Sequence, residues 1–331
     1  MPIRPELNVS GYRGIWGKTL TEQIVRNYTK AFALFTKEET KKVLPSILIG
    51  RDGRETGPEI KKIIIDELLS SGVKIIDGDI MPTPTVLFSV RKHSYDGAII
   101  ITASHNPIEY NGLKFVNDKA LFTIKDEVVK INKYYHEDTK EKVEGSILEQ
   151  DIPNFSEEHA NHIIKNINVE KIRERKFKVV SDMINASACV LDPYLFEKLG
   201  VELLPVNNIP SGKFAHKPEP LKENLLETEK IVRESGADLG FVHDPDADRL
   251  VIIDENGETV LEEYSLALSI ENILSKNQGK PIVINLSTSQ TSADLAKKYG
   301  SKCFRSKIGE GNVVEKMIEQ NAIIGGEGNG G

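Results

Sequence analysis

Four apolar runs in this chain break off in the same way. "SILIG" (46–50) runs into "RDGRETG", "GAIIIT" (97–102) into "ASHNP", "DLGFV" (238–242) into "HDPDADR", and "AIIGG" (322–326) into "EGNGG". Each run suits one buried strand, and each gives way to small and polar residues. Amphipathic stretches lie between them: 21–35 with Thr21 as cap, 59–72 stopped by Gly72, then 223–236, 290–299 and 312–321. Further β-rich runs occur at 73–77, 176–180, 201–206, 249–254, 281–285 and 302–306. This alternation predicts α/β units whose sheets are sandwiched by helices. In open α/β sheets, ligands collect beyond the carboxyl ends of strands. Four polar loops at four strand ends therefore predict pieces of one shared site.

A length of 331 residues suggests two or three domains. The stretch 136–158 is rich in charge and poor in apolar periodicity, which marks a linker or peripheral segment, and "DENGE" (254–258) reads as a turn. The expected units are 1–150, 151–256 and 257–331. The net charge of −7 argues against broad nucleic-acid binding. No apolar run approaches the roughly 20 residues needed to span a bilayer, and the start "MPIRPELNVS" has no secretory pattern. Cys189 and Cys303 form no metal or redox pair, which fits a reducing, cytoplasmic setting.

Four motifs carry chemistry. In "TASHNP" (102–107), Ser104 follows a buried strand on a turn shaped by Asn106 and Pro107, with His105 beside it. Held rigidly, Ser104 could be a nucleophile; alone, the motif is better described as a turn cap formed by Ser104 and Asn106. No hydrolase triad can be assigned to it. In "DPDADR" (244–249), three carboxylates at i, i+2 and i+4 can converge on a hard cation. An EF-hand is excluded, because Arg249 replaces the required glycine and leads into a strand. An aspartate-nucleophile phosphatase remains a competitor. "NGLKF" (111–115) and "SGYRG" (10–14) read as loops that set Lys114 and Arg13 beside glycine, a setting that suits phosphate. A nucleophilic hydroxyl, a tricarboxylate, several cations and a polar glycine loop are the parts that phosphoryl transfer needs.

The chain resembles the α-D-phosphohexomutases: phosphoglucomutase, phosphomannomutase and phosphoglucosamine mutase. "SGYRGIWGKTLT", "IGRDGRETG", "TASHNP", "YNGLKF", "PEPLKENL", "GADLGFVHDPDADR", "IGEGNVVEKM" and "GGEGNGG" carry the resemblance in order along its length. The resemblance implies three similar α/β domains with mixed sheets, and a smaller fourth, around a central cleft. It implies that Ser104 is a phosphoserine that donates to a hexose phosphate and is regenerated from a hexose 1,6-bisphosphate. It implies that Asp244, Asp246 and Asp248 hold one Mg2+ with the phosphoserine oxygen. Arg13, Lys114 and Arg249 would offset charge, and Lys114 or His105 would move the hydroxyl proton. Gly309, Glu310, Glu327 and Asn329 would meet the sugar.

The implied reaction interconverts glucosamine, glucose or mannose 6-phosphate and 1-phosphate. The implied partner is that small molecule, with no nucleic acid or membrane, and the oligomeric state is left open. The alternatives are a sugar phosphatase with Asp244 as nucleophile and a non-catalytic sugar-phosphate-binding protein.

Some features depart from the family pattern. The sugar loop often reads Glu-x-Ser-Gly, where this chain has Glu-Gly-Asn-Gly. Glu310 stands where some members carry His and the glucosamine-specific ones Asp, so a carboxylate here predicts a preference for a 2-ammonium sugar. "DMINASA" lacks the usual glycine cluster. Nothing in the sequence corresponds to the fourth domain with its distal phosphate clamp. The expectation is a truncated chain with weak or no turnover, and a glycine loop frayed for want of the strand that follows it.

Overall fold

A computed structural model of the chain describes residues 6–136, 144–147 and 152–331. The first unit comprises β1 (Tyr12–Ile15), α1 (Glu22–Thr40), β2 (Ser46–Arg51), α2 (Gly57–Ser70), β3 (Lys74–Ile80), α3 (Thr83–His93), β4 (Gly97–Ile101), β5 (Tyr110–Val116), α4 (Lys125–Tyr135) and β6 (Ser146–Ile147). Its strands lie in the order β1-β5-β4-β2-β3-β6. The inner strands β4, β2 and β3 run parallel, while β5 is antiparallel to both β4 and β1. Side chains alternate across the sheet, as the pleat requires. Ile47, Ile49, Ile99 and Ile101 meet α1, α2 and α4 on one face. Leu48, Ala98 and Ile100 meet Val86 and Val90 of α3 on the other. Both faces are covered, so β2 and β4 read as unbroken apolar runs. Thr21 caps α1 by accepting from the Ile24 amide.

The second unit holds α5 (Phe155–Lys165), α6 (Val169–Arg175), β7 (Lys178–Asp182), α7 (Asp192–Leu199), β8 (Glu202–Val206), α8 (Leu226–Ser235), β9 (Leu239–His243), β10 (Leu250–Ile253) and β11 (Thr259–Val260). Its mixed sheet is ordered β11-β10-β9-β7-β8. The third unit holds α9 (Glu263–Lys276), β12 (Ile282–Asn285), α10 (Gln290–Lys298), β13 (Cys303–Ser306), α11 (Glu310–Gln320) and β14 (Ile324–Gly326). Its three strands are all parallel, in the order β13-β12-β14. No helix among the described residues is long and apolar enough to cross a membrane.

Two expectations need correction. Arg13 and Lys114 do not sit in glycine loops; they lie on the antiparallel pair β1–β5, with Arg13 opposite Gly112. A Cβ on Gly112 would meet the Tyr12 carbonyl oxygen at 2.4 Å and that of Thr102 at 2.7 Å. This glycine serves close strand approach. The expected linker or peripheral segment at 136–158 is also partly structured: β6 pairs parallel with β3 at the edge of the sheet, and α5 begins at Phe155. Residues 137–143 and 148–151 of that stretch lie outside the described residues.

Candidate active site

The sites at the strand ends converge on one cleft of about 530 Å³. Arg13, Ser104, His105 and Lys114 reach it from the first unit, Asp248 and Arg249 from the second. Gly309, Glu310, Glu327 and Asn329 reach it from the third. Three of the four predicted polar loops therefore line it. The fourth, after β2, lies beneath the serine loop.

Ser104 follows β4 and is buried, with a backbone φ of +50°. That left-handed conformation is uncommon for a residue with a Cβ and persists only where neighbours enforce it. The Ser104 amide donates to Thr102 Oγ1 at 2.8 Å. Its Oγ donates to Asp244 Oδ2 at 3.0 Å and lies 3.2 Å from His105 Nδ1. Burial, then the charges of Arg249 and Arg13, push the His105 imidazole down to about 4, so the ring is neutral at pH 7. Arg13 Nη1 donates to Asn106 Oδ1 at 3.0 Å, tying β1 to the serine loop.

The Asp244–Asp248 loop joins β9 to β10. Ala247 takes φ +54° and its amide returns to the Asp244 carbonyl at 3.0 Å, closing the turn. Lys114 Nζ donates to Asp246 Oδ2 at 2.7 Å and Asp248 Oδ2 at 2.8 Å. Burial opposes the Lys114 charge, but these carboxylates hold its ammonium above the ordinary lysine range. Burial likewise opposes ionisation of Asp246, and Lys114 with Thr83 holds that carboxyl below the usual range. At Asp244 the Arg249 charge opposes protonation only in part. Burial, then Asp248 and Asp246, push that carboxyl well above the usual carboxylate range.

The donor set fits a hard divalent cation. One carboxylate oxygen from each of Asp244, Asp246 and Asp248 lies within 4.8 Å of the others. Asp246 Oδ1 is buried without a hydrogen-bond partner among the described residues. Three oxygen donors with one lone pair set unengaged suit Mg2+ chemistry, and a dication relieves the repulsion felt by Asp244.

The glycine loop after β14 is not frayed. Glu327 Oε1 accepts from the Asn285 side-chain amide and from the Gly309 amide, both at 2.7 Å. Gly328 N donates to Thr288 Oγ1 at 3.0 Å, and the Gly330 carbonyl accepts from Leu250 N of β10 at 3.1 Å. The loop is thus fastened by the β12–α10 turn and by the second unit. Asn329 Oδ1 accepts from the Gly331 amide at 3.3 Å. Gly309 has φ +112°, and a Cβ there would meet Asn312 at 3.2 Å and Ser10 of the first unit at 3.6 Å.

Comparison with known proteins decides the family. Residues 4–142, 157–257 and 262–331 match the models for α/β/α domains I, II and III of phosphoglucomutase/phosphomannomutase. A phosphoglucomutase/phosphomannomutase of Thermococcus kodakarensis is 36% identical over 97% of this chain and 71% of its own length. The chain belongs to the phosphoglucomutase/phosphomannomutase family. A phosphoglucosamine mutase of Methanocaldococcus jannaschii is 35% identical over 97% of this chain and 70% of its own. A solved structure of a family protein from Burkholderia thailandensis superposes with a TM-score of 0.84 at 28% identity, covering 98% of this chain and 72% of that one. Phosphohexomutases are isomerases, intramolecular phosphotransferases, and this chain is one of them by descent.

Several residues that build this cleft escaped the sequence reading. Thr83 Oγ1 donates to Asp246 Oδ2, and its amide to the Asp246 carbonyl, both at 2.8 Å. Glu219 lies 3.8 Å from the Arg249 guanidinium, at the cleft wall. Asn285 and Thr288 hold the glycine loop. Arg54, fully buried, binds the serine loop from below. Its signal was an Asp-Gly-Arg step just past a strand, which places a guanidinium beside a carboxylate two residues earlier.

Proposed function

We propose that this chain carries out phosphohexomutase chemistry with Ser104 as the phosphorylated nucleophile, interconverting a hexose 6-phosphate and its 1-phosphate through a bisphosphorylated sugar. The hydrogen bond from Ser104 Oγ to Asp244 at the floor of a three-walled cleft carries this reading. A serine held in strained geometry against a buried carboxylate cluster is arranged for transfer, and a turn cap needs none of this.

In the transfer step the bond from Ser104 Oγ to phosphorus breaks as a sugar hydroxyl oxygen bonds to phosphorus. The hydroxyl proton ends on Oγ. His105 is the favoured carrier, because its neutral imidazole lies 3.2 Å from Oγ, whereas Lys114 is held charged between two carboxylates. Arg13, Lys114 and Arg249 offset the charge of the phosphoryl oxygens. Asp244, Asp246 and Asp248 would hold Mg2+, which when bound supplies further neutralisation for those oxygens. Glu327 and Asn329 present acceptors to sugar hydroxyls. These interactions hold the reacting atoms in line, which is most of what phosphoryl transfer asks of a protein.

Glu310 supports an amino sugar as substrate. It faces the cleft, and burial and then Asp248 push its carboxyl up to about 8. An ammonium group on the bound hexose stabilises its ionised form. Comparable kcat/KM for glucose and glucosamine phosphates, unchanged by Glu310→Gln, would count against this preference.

The central reading is tested with a radiolabelled hexose 1,6-bisphosphate. The expected result is label on Ser104 that survives hydroxylamine and disappears in Ser104→Ala. Hydroxylamine-labile label would move the role to an aspartate, and no label on the folded protein would leave a binding protein without catalysis.

A further inference from the structure

We infer that Arg54 is the positioning residue that aims Ser104, and that Phe214 from the second unit seals it in place; this rests on the reading of Ser104 as nucleophile. A guanidinium has five N–H donors in a fixed plane, and all five of Arg54 are engaged. Nε donates to Asp52 Oδ2 at 3.0 Å. Nη1 donates to the carbonyls of Pro107 at 2.8 Å and Tyr110 at 2.9 Å. Nη2 donates to the carbonyls of Ser104 at 2.6 Å and Asn106 at 2.8 Å. Four carbonyls of the 104–110 loop therefore converge on one side chain.

The other side of Ser104 is fixed by the same cluster. Thr102 Oγ1 donates to Asp52 Oδ2 at 2.7 Å and accepts from the Ser104 amide at 2.8 Å. The run Arg54–Asp52–Thr102 thus grips Ser104 by its amide and by its carbonyl. With both peptide ends held, φ stays at +50° and Oγ has Asp244 as its partner. A core ion pair needs only Asp52; the four loop carbonyls are what an aiming device adds. Lysine, with three donors on a tetrahedral head, cannot reproduce this planar set.

The Phe214 ring covers the guanidinium at 5.0 Å from its centroid. The segment bearing it packs tightly on the Arg54 turn: a Cβ on Gly212 would meet the Gly53 carbonyl oxygen at 1.9 Å. The aim of Ser104 in the first unit thereby depends on a residue of the second.

Wild type, Arg54→Lys and Phe214→Leu distinguish the outcomes. In Arg54→Lys, hydrogen exchange is expected to quicken at the amides of Ser104, Asn106 and Tyr110, with β2 and β4 unchanged. The maximal rate of phosphoryl transfer from glucose 1,6-bisphosphate to Ser104, read by intact mass, is expected to fall about 100-fold, as misplacement by an ångström does. The half-saturating bisphosphate concentration is expected to hold. Phe214→Leu should lower the rate about 5-fold, the scale of a partly exposed cation–π contact. Unchanged exchange in the serine loop of either folded variant overturns the inference, and so does an unchanged transfer rate in a variant whose loop has loosened. If Arg54→Lys does not fold, Phe214→Leu decides. An unlabelled wild type removes Ser104 as acceptor and the aiming role with it, while the exchange data still show whether Arg54 holds the loop.

Discussion

The serine loop and the glycine loop face each other across one cleft, and they are built on opposite terms. Ser104 is buried, takes a backbone conformation unfavourable to it, and is gripped from both peptide ends by side chains that are themselves buried. The glycine loop is half-exposed, uses residues that accept its turns without strain, and is fastened by few side-chain bonds to Asn285 and Thr288. Rigidity is concentrated where a bond would be made and broken.

The largest effect expected on the rigid side comes from Lys114→Met. It leaves Asp246 and Asp248 without their cation, and breaking a buried pair in this way costs about 3–5 kcal/mol. Urea midpoints should fall accordingly, and added Mg2+ should recover much of the loss. Failure of Mg2+ to restore the midpoint would show that the carboxylates do not act as a cation site.

Glycine substitutions sharpen the contrast. Gly112→Ala drives a Cβ into two backbone carbonyls and should cost about 2–3 kcal/mol by overpacking. Gly328→Ala meets the Thr288 Cα at 3.1 Å and otherwise the flexible Glu263 side chain, so its effect should stay within about 0.5 kcal/mol. Equal costs in thermal or urea unfolding would erase the distinction between the two walls of the cleft.

A modest effect lies outside both loops. Burial, with His162 nearby, pushes His159 down to about 4, and the ring bonds Thr85 Oγ1 at 2.9 Å. The unfolded chain takes up the proton near the ordinary value of 6.5, the folded chain only near 4. Protons therefore favour unfolding, and the contribution is full above pH 6.5 and lost as pH falls towards 4. After solvent screening this amounts to about 1 kcal/mol. A His159→Gln variant with the same acid slope in urea titrations would remove His159 as its source.

Strands β2 and β4 were plain in the sequence because both faces of the first sheet are covered, so 47–50 and Gly97–Ile101 are apolar without interruption. β1 and β5 were hidden by their own site residues: a buried lysine and a close-approach glycine spoil the apolar signature of Tyr110–Val116. Ser104 and the three aspartates stood out because strand ends and carboxylate spacing are local. Arg54 did not, since most of its partners are carbonyls about 50 residues away, and backbone carbonyls carry no sequence identity. The tether on the glycine loop was equally silent, as Asn285 and Glu327 meet only when β12 and β14 lie side by side.

The bond between Thr83 and Asp246 spans 163 positions of chain. A ribosome adding about 5–20 residues per second makes the second partner on the order of ten to thirty seconds after the first. For most of that interval the nascent first sheet has Lys114 and Ser104 but not the three aspartates that meet them. The chemistry is thus withheld from the growing polypeptide by the order of synthesis, and becomes possible only once the later sheet has docked.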